Sequence, residues 1–257
     1  MKRIILSSPI LTILPSLALI PTLGGVLKGM HDGGLPIVGK FFIASLHPSL
    51  EPAVLHSAFK GLQVTIATAL LSWTISTFGG LFLGVLSSNI LWESFSHQKR
   101  IAIFLRRCLA IPRSIHELIW GLLLLQIFGL SPWVGILAIC IPYSCLVARV
   151  LSDQIDNLDI STLIAIRQSG SGTLAALTTS LLPPMIPVIN SYCGYRLECA
   201  LRGATMLGFF GLGGIGTELT LTLQSLEFQE MWTSLWLLGL VMFSLETILT
   251  WWRRLPS

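Results

Sequence analysis

The feature that most constrains this chain is a series of long segments without charged residues. The uncharged intervals are 4–27, 61–92, 118–148, 168–195, 203–217 and 231–245. A helix of about 20 apolar residues crosses the hydrocarbon layer of a bilayer. Only 11% of the 257 residues are charged, against roughly 25% in a typical soluble domain. The pattern therefore predicts an all-α, polytopic bundle of membrane helices.

We expect a single domain over residues 1–257 with about six spans. The spans are placed near residues 4–27, 60–88, 109–128, 132–152, 180–206 and 231–252. The third and fourth spans share one uncharged interval, and we separate them with a tight hairpin at Gly129–Pro132. This segment joins a turn-forming glycine to a proline suited to the first turn of a helix. Gly80 and Gly84 form a GxxxG pattern, which favours close helix packing over pore lining.

The distribution of lysine and arginine between loops predicts the orientation. The basic residues assigned to one side are Lys2, Arg3, Lys99, Arg100, Arg106, Arg107, Arg149, Arg167, Arg253 and Arg254, and those assigned to the other are Lys28 and Lys40. Excess positive charge marks the cytoplasmic side. Both termini are therefore predicted to be cytoplasmic, and the loops Lys28–Glu51 and Leu212–Glu227 are predicted to lie outside.

The N terminus has an alternative interpretation as a cleaved signal peptide. Basic residues precede the apolar run, and Ser16–Ala18 offers a cleavage site between small residues. Because the apolar run continues through Leu27, beyond a usual signal core, a retained helix is favoured. Cleavage would leave five spans.

Motifs of soluble proteins match only in part, so no cofactor or metal is expected in this chain. Residues 34–41 nearly match a phosphate-binding loop, but Phe41 stands where Ser or Thr would bind magnesium. Residues 211–216 fit a dinucleotide fingerprint without its βαβ context. The residues that could chelate a metal in the external loop are His31, Asp32, His47, Glu51 and His56. We interpret these as scattered solvated side chains, and the five cysteines as buried free thiols.

The predicted fifth span carries charges and then becomes rich in glycine, reading YRLECALRGATMLGFFGLGGIG from Tyr195 to Gly216. Charges at membrane depth are costly, so Arg196, Glu198 and Arg202 must face protein or a watery cavity. Glu198 and Arg202 are four residues apart in the favourable order and can pair. Arg196 lies about 160° from Glu198 on a helical wheel and needs a different partner.

Two roles remain open for these three residues. In a structural network, neutralising Glu198 would leave a buried arginine unpaired at a cost of about 3 to 5 kcal/mol. In a transport pathway, an arginine would form a bidentate pair with a passing oxyanion. We expect Glu198 and Arg202 to be structural and Arg196 to be the better pathway candidate.

The stretch between the fourth and fifth spans is organised for docking. Thr162–Gln168 (TLIAIRQ) predicts a short amphipathic helix that ends at Ser169–Gly172, after three aspartates that offer polar and N-cap chemistry, Asp153, Asp156 and Asp159. Leu182–Pro183 follows, where a proline in the first turn can begin the next membrane helix. An ordinary loop is the alternative.

This stretch resembles the EAA coupling loop of ABC importer permeases. Ala165, Gly170, Leu182 and Pro183 stand in the matching places, while Ile164 replaces the expected glutamate and Gly172 falls where serine is common. The segment Tyr195–Gly216 is similar to the phosphonate-type permease subgroup, as are LRRCLAIP at 105–112 and FGLSPWVGILA at 128–138. The resemblance covers roughly residues 105–219.

The resemblance implies a permease subunit of the bacterial inner membrane, with a five-helix core and an added N-terminal helix. Its substrate would be phosphonate or a related phosphorus oxyanion. Its partners would be a second permease copy, two cytoplasmic ATPase subunits that bind ATP and magnesium, and an external binding protein. It would contain no catalytic residue and bind no nucleic acid.

The resemblance also implies roles for individual residues within this chain. ATPase coupling, in a loop of about 155–180, is assigned to Ala165, Arg167, Gly170, Leu182 and Pro183. The translocation path or charged network is assigned to Arg196, Glu198, Arg202 and Thr205. A flexible helix exit or gate is assigned to Gly208, Gly211, Gly213, Gly214 and Gly216.

Other functions are compatible with parts of the sequence. An ABC permease could carry another small solute, such as an organic anion or an amino acid. A small channel would need no coupling loop. An intramembrane hydrolase would need an inward-facing catalytic pair, for which His116 and Glu117 are the nearest candidates. Trp120 occupies the place of the second zinc-binding histidine, so the pair does not form a zinc-protease motif.

Overall fold

The computed structural model describes residues 34–95, 99–159 and 161–254. Every regular element in these ranges is helical, which confirms the all-α prediction. The span predicted at 4–27 and the alternative signal peptide lie outside the described residues. The chain divides into two compact units, residues 1–47 and 48–257. The single domain predicted over the whole chain stays a prediction.

In the first unit, the described residues form one helix, α1 (Gly34–Ala44), which is 11 residues long. A helix of this length is shorter than the ~20 residues that cross a bilayer. The external loop predicted from Lys28 to Glu51 therefore contains a helix. The near match to a phosphate-binding loop at 34–41 lies within it.

The second unit contains the remaining helices. They are α2 (Pro52–Leu86), α3 (Asn89–Phe95), α4 (Lys99–Ser114), α5 (Glu117–Phe128), α6 (Pro132–Asp156), α7 (Ser161–Gln168), α8 (Thr173–Leu207), a π-helical turn (Gly208–Leu212), α9 (Ile215–Gln224) and α10 (Phe228–Arg254). The helices α2, α6 and α10 are each long and apolar enough to cross a membrane. Two bent helix pairs raise the number of candidate spans in the described residues to five. The second, fourth and sixth predicted spans are confirmed as continuous helices.

The third predicted span is not one continuous helix. Helices α4 and α5 meet at 84° across a break at residues 115–116. The His116 ring accepts the backbone N–H of Leu118 at 3.3 Å and caps α5, while Trp120 Nε1 donates to the Pro112 carbonyl at 3.1 Å. A hydropathy average along the sequence does not detect this corner, because apolar residues flank it on both sides. The prediction of one helix over 109–128 is therefore wrong.

The fifth predicted span begins earlier than expected. Helix α8 starts at Thr173, so Pro183 lies within the helix and not in its first turn, and Pro184 and Pro187 are also internal. Threonine residues precede the prolines in α8, and the Thr179 hydroxyl donates a hydrogen bond to the Ala175 carbonyl at 2.8 Å. Prolines are tolerated inside membrane helices when the freed backbone groups find other partners. The prediction that Pro183 starts the helix is wrong.

Helix α6 forms the centre of the second unit, since 67% of the residues in an apolar stretch of 18 residues within it are buried. It packs against α2 through the GxxxG pair, as predicted. A Cβ added at Gly84 would lie 2.8 Å from Leu151 Cβ, and one at Gly80 would collide with Val147. The tight hairpin before α6 is also confirmed, because Gly129 has φ of 68° and Pro132 occupies the first turn of α6.

Candidate functional site

A charged cavity of about 420 Å³ lies beside the corner between α4 and α5, and α6 and α8 complete its wall. Its polar lining residues are Arg113, Ser114, His116, Glu117, Tyr143, Arg196 and Arg202. Arginines outnumber carboxylates in this lining. The corner that interrupts the predicted third span is therefore part of the candidate site.

Arg196 is held in this cavity by aromatic residues. Its Nε and Nη2 atoms donate to the Tyr192 hydroxyl at 2.9 and 2.7 Å. Its guanidinium carbon lies 5.1 Å from the centroids of the Tyr143 and Tyr192 rings and 5.6 Å from that of Tyr195. Cation–π contact stabilises the charge without neutralising it. Within the described residues, Arg196 has no ion pair with a carboxylate.

The predicted pair of Glu198 and Arg202 is confirmed, because Arg202 Nη2 donates to Glu198 Oε1. The two side chains differ in burial, with Arg202 57% exposed and Glu198 18% exposed. Arg202 reaches the cavity, whereas Glu198 anchors it from behind. Because Arg202 lines the cavity, where water can reach it, the cost expected for breaking this pair is lower than for a fully enclosed pair.

Glu117 is the carboxylate that lines the cavity, and its role was missed in the sequence. Its side chain is 15% exposed, and its Oε1 accepts a long hydrogen bond from the Tyr143 hydroxyl at 3.4 Å. His116, considered beside it as a hydrolase pair, uses Nδ1 to cap α5. The tyrosines and Arg113 were also missed. The available signal was the presence of hydrogen-bonding aromatic residues within apolar segments, but nothing in the sequence brings them together.

Thr205 does not line the cavity. Its side chain is buried and its hydroxyl donates to the Leu201 carbonyl at 3.0 Å. Its own carbonyl oxygen lies so close to Gly216 that an added Cβ there would collide with it. The place of Thr205 in a translocation path stays a prediction.

The glycine-rich segment forms a compact turn between α8 and α9. Gly211, Gly213 and Gly214 have φ of 79°, 88° and 87°, a region that favours glycine. A Cβ at Gly208 would lie 2.8 Å from Gly216 Cα, so the two backbones are in close contact. The segment bends the chain by 54°. These glycines permit tight packing between the two backbones, and their role as a flexible helix exit or gate stays a prediction.

Helix α9 occupies most of the predicted external loop 212–227, so the segment is helical for most of its length, and its external location stays a prediction. The helix docks against α2, where Thr65 Oγ1 accepts the Ile215 N–H at 2.9 Å and Ser57 donates to Glu218 at 2.7 Å. Its sequence, IGTELTLTLQ, interrupts the apolar pattern with threonines and one glutamate. Tertiary hydrogen bonds decide its structure.

The predicted amphipathic helix between the fourth and fifth spans is confirmed as α7. Leu163 is buried and Ile166 is half-buried against a cluster that includes Leu151, Ile155 and Met185. Asp159 accepts the N–H and the hydroxyl of Ser161 at 2.9 and 2.8 Å. These hydrogen bonds favour the charged carboxylate and lower the pKa of Asp159.

The residues assigned to ATPase coupling are exposed. Ala165 and Arg167 lie on the outer face of α7, while Leu182 and Pro183 lie on the surface of α8. Gly170, just after α7 in the coupling segment Ser161–Gly172, has φ of 89° and open space where a side chain would be. This arrangement leaves a surface free for a partner, and its use in docking stays a prediction.

An ion-pair network supports this segment from behind. Arg106 donates to the Ser87 carbonyl at 2.7 Å and to Asp156 Oδ2 at 2.5 Å. Asp156 Oδ1 accepts the Asn89 N–H at 2.9 Å, so Asp156 caps α3. The C-terminal ends of α2 and α6, the N terminus of α3 and the middle of α4 are therefore tied together just before α7. Within the described residues, no cluster of three or more potential metal ligands is present.

The sequence profile of the family described as "Binding-protein-dependent transport system inner membrane component" matches residues 76–255. The chain belongs to this family. The matched region contains both the charged cavity and the coupling segment. The resemblance to an importer permease is thus confirmed for the part of the chain that carries the candidate site.

The similar proteins are named as permeases of phosphite and phosphonate transport systems. The chain is 29% identical over 143 residues to the putative phosphite transport system permease protein HtxE of Stutzerimonas stutzeri, covering 56% of this chain and 55% of the relative. It is 31% identical over 94 residues to the putative cryptic phosphonate transport system permease protein PhnE2 of Escherichia coli, covering 37% of this chain and 77% of the relative. The chain therefore spans about half the length of the phosphite permease that it matches.

A solved structure supports the fold. The MetNI methionine ABC transporter in an inward facing conformation has a chain with a TM-score of 0.70 and 18% identity. The alignment covers 80% of this chain and 98% of that chain. At this identity, the likeness establishes the shared helical architecture alone.

Proposed function

We propose that this chain is the permease subunit of an ATP-binding cassette importer for phosphonate or a related phosphorus oxyanion. The observation that carries the proposal is the arginine-lined cavity between membrane helices. Arg113 and Arg196 line it without a carboxylate ion pair in the described residues. Partly buried cations of this kind favour an anionic ligand, and a guanidinium binds the oxygens of a phosphorus oxyanion in bidentate fashion.

The proposed complex contains a second copy of this chain, two cytoplasmic ATPase subunits and an external binding protein. The coupling segment, Ser161–Gly172, would seat in the ATPase. Support comes from the exposed outer face of α7, combined with its buried attachment through Leu163. ATP binding and hydrolysis would then shift the helices between inward-facing and outward-facing packings. Both termini would be cytoplasmic, following the distribution of basic residues.

Uptake by reconstituted vesicles tests the assignment of the cavity. The complete complex is reconstituted with wild-type permease or with Arg196→Gln, and uptake of labelled phosphite and methylphosphonate is measured per assembled complex. We expect Arg196→Gln to assemble and bind the ATPase but to lose roughly ten- to a hundredfold in uptake, the equivalent of one charge-assisted hydrogen-bonding group. Arg196→Lys should retain part of the activity.

Arg100→Gln is the matched control, because Arg100 is an exposed residue at the start of α4 and lies outside the cavity. Its uptake should equal that of the wild type. Unchanged uptake with Arg196→Gln would remove Arg196 from the pathway.

An importer for an amino acid is the second candidate. The arginines of the cavity would equally bind the carboxylate of an amino acid. Uptake of methionine or another amino acid by the same vesicles, without uptake of phosphite or methylphosphonate, would establish this alternative.

A further inference from the structure

The cavity holds opposite charges, on Arg196 and Glu117, that do not pair with each other. Glu117 contacts the Tyr143 hydroxyl through Oε1 and lies 3.4 Å from His116 Nδ1 through Oε2. The Arg196 guanidinium carbon lies 5.1 Å from the centroid of the Tyr143 ring, and the hydroxyl of the same tyrosine donates to Glu117 at 3.4 Å. No ion pair links Arg196 to Glu117 in the described part of the chain. Tyr143 therefore stands between a cation and a carboxylate that share one cavity.

This separation leaves two different binding groups available to a ligand. A simple oxyanion would satisfy Arg196 and Arg113, but Glu117 would repel its negative charge. A ligand with both an oxyanion and an ammonium group would satisfy the arginines and the carboxylate with charge-assisted hydrogen bonds. The volume of about 420 Å³ accommodates a small molecule of this kind.

We propose that the cavity binds a zwitterion, with Arg196 binding the oxyanion and Glu117 binding the ammonium group. Glu117 is then a specificity-determining residue of the permease itself. The inference rests on the proposed function, which it makes more specific. The cavity then favours an oxyanion that carries an ammonium group over an unsubstituted one such as phosphite.

A purely structural role for Glu117 makes a different prediction. Glu117 lies in the first turn of α5, where a negative charge stabilises the helix N terminus. In that role, Glu117→Gln would lower the stability of the complex and leave the relative affinity for different ligands unchanged. The ratio of two affinities therefore distinguishes specificity from structure.

Direct binding to the permease tests the proposal. The full chain with its ATPase partner is placed in nanodiscs without the binding protein, so that only the permease selects the ligand. The probes are aminoethylphosphonate and ethylphosphonate, which differ by the ammonium group. We expect aminoethylphosphonate to bind about tenfold more tightly, as one charge-assisted hydrogen bond allows.

Variants then assign the preference to residues. Glu117→Gln should bring the affinity ratio close to one, while Arg196→Gln should weaken the binding of both probes. Glu246→Gln is the matched control, because Glu246 is exposed on α10 and outside the cavity. It should keep the wild-type ratio. Glu117→Gln retains a side-chain oxygen that can accept the hydrogen bond from the Tyr143 hydroxyl.

Equal affinity of the two probes for the unmodified complex would overturn the inference, and this comparison needs no variant to fold. A preference that survives in Glu117→Gln would overturn it as well. β-Alanine carries a carboxylate in place of the phosphonate. If it binds as tightly as aminoethylphosphonate, the zwitterion inference stands and the phosphorus oxyanion of the proposed function fails.

Discussion

At the scale of single residues, two arginines that look alike in the sequence have different surroundings beside the cavity. Arg202 has a carboxylate partner in Glu198, whereas Arg196 is surrounded by tyrosines. The first arrangement fixes a side chain by an ion pair, and the second keeps a cation available for a ligand. Although the two arginines share one helix, they are expected to respond differently to substitution.

We predict that Glu198→Gln assembles normally but transports less. Because Arg202 lines the cavity, where water can replace its carboxylate partner, loss of this i,i+4 pair should cost about 0.5 kcal/mol of stability, far below the cost of breaking a fully enclosed pair. Uptake should fall because Arg202 loses its anchor beside the cavity. Thermal unfolding of the purified complex and uptake per complex measure the two effects. A large loss of folded protein would instead show that the pair is desolvated in the assembly.

At the scale of elements, the coupling helix α7 is a small amphipathic unit attached to a larger bundle. Leu163 anchors it in an apolar cluster, and Asp159 orders its first turn through Ser161. Gly170 follows the end of this helix and has a left-handed backbone conformation. An L-residue at such a position costs roughly 1–2 kcal/mol, so the glycine has a conformational role even though space surrounds it.

We predict that Gly170→Ala weakens coupling to the ATPase. The strained backbone would displace the end of α7, and substrate-stimulated ATP hydrolysis should decrease while the membrane bundle stays folded. Gly170→Trp should uncouple more completely, because it adds bulk at the same surface. Gly172→Ala is the matched control, since Gly172 has open space and φ of −62°. Equal stimulation in Gly170→Trp and wild type would refute the coupling assignment.

At the scale of the whole molecule, bent helices and tight glycine contacts bring distant segments to one cavity. The corner between α4 and α5 supplies Arg113 and Glu117, while α6 supplies Tyr143. The Arg106 network ties the same α4 helix to the segment that precedes α7. Helix α4 therefore contacts both the cavity and the end of α6 that leads into α7.

We predict the orientation of this molecule from labelling of single cysteines. In a background without the native cysteines, Ser169→Cys should resist an impermeant external reagent, because the coupling segment is expected to be cytoplasmic. Ser225→Cys, between α9 and α10, should react. Both positions are exposed, so accessibility of the side chain does not separate them. Native Cys108 is exposed and must be removed first. The opposite labelling pattern would reverse the topology.

The sequence alone determined the features that depend on local spacing and on hydropathy. The apolar intervals predicted the membrane helices, the pair of Glu198 and Arg202 followed from their separation by four residues, and the TLIAIRQ pattern predicted α7. Gly80 and Gly84 marked a close contact with α6. Each of these features depends on residues that lie within a few turns of one helix.

Only the tertiary structure decided how the functional groups meet. The corner at His116, the docking of α9 on Thr65 and the position of Tyr143 between Arg196 and Glu117 depend on contacts between separate helices. A side chain's sequence neighbours determine its helical face but not which other helix packs against that face. The charge of Arg196 was therefore evident in the sequence, whereas its tyrosine cage and the opposing carboxylate required the packed bundle.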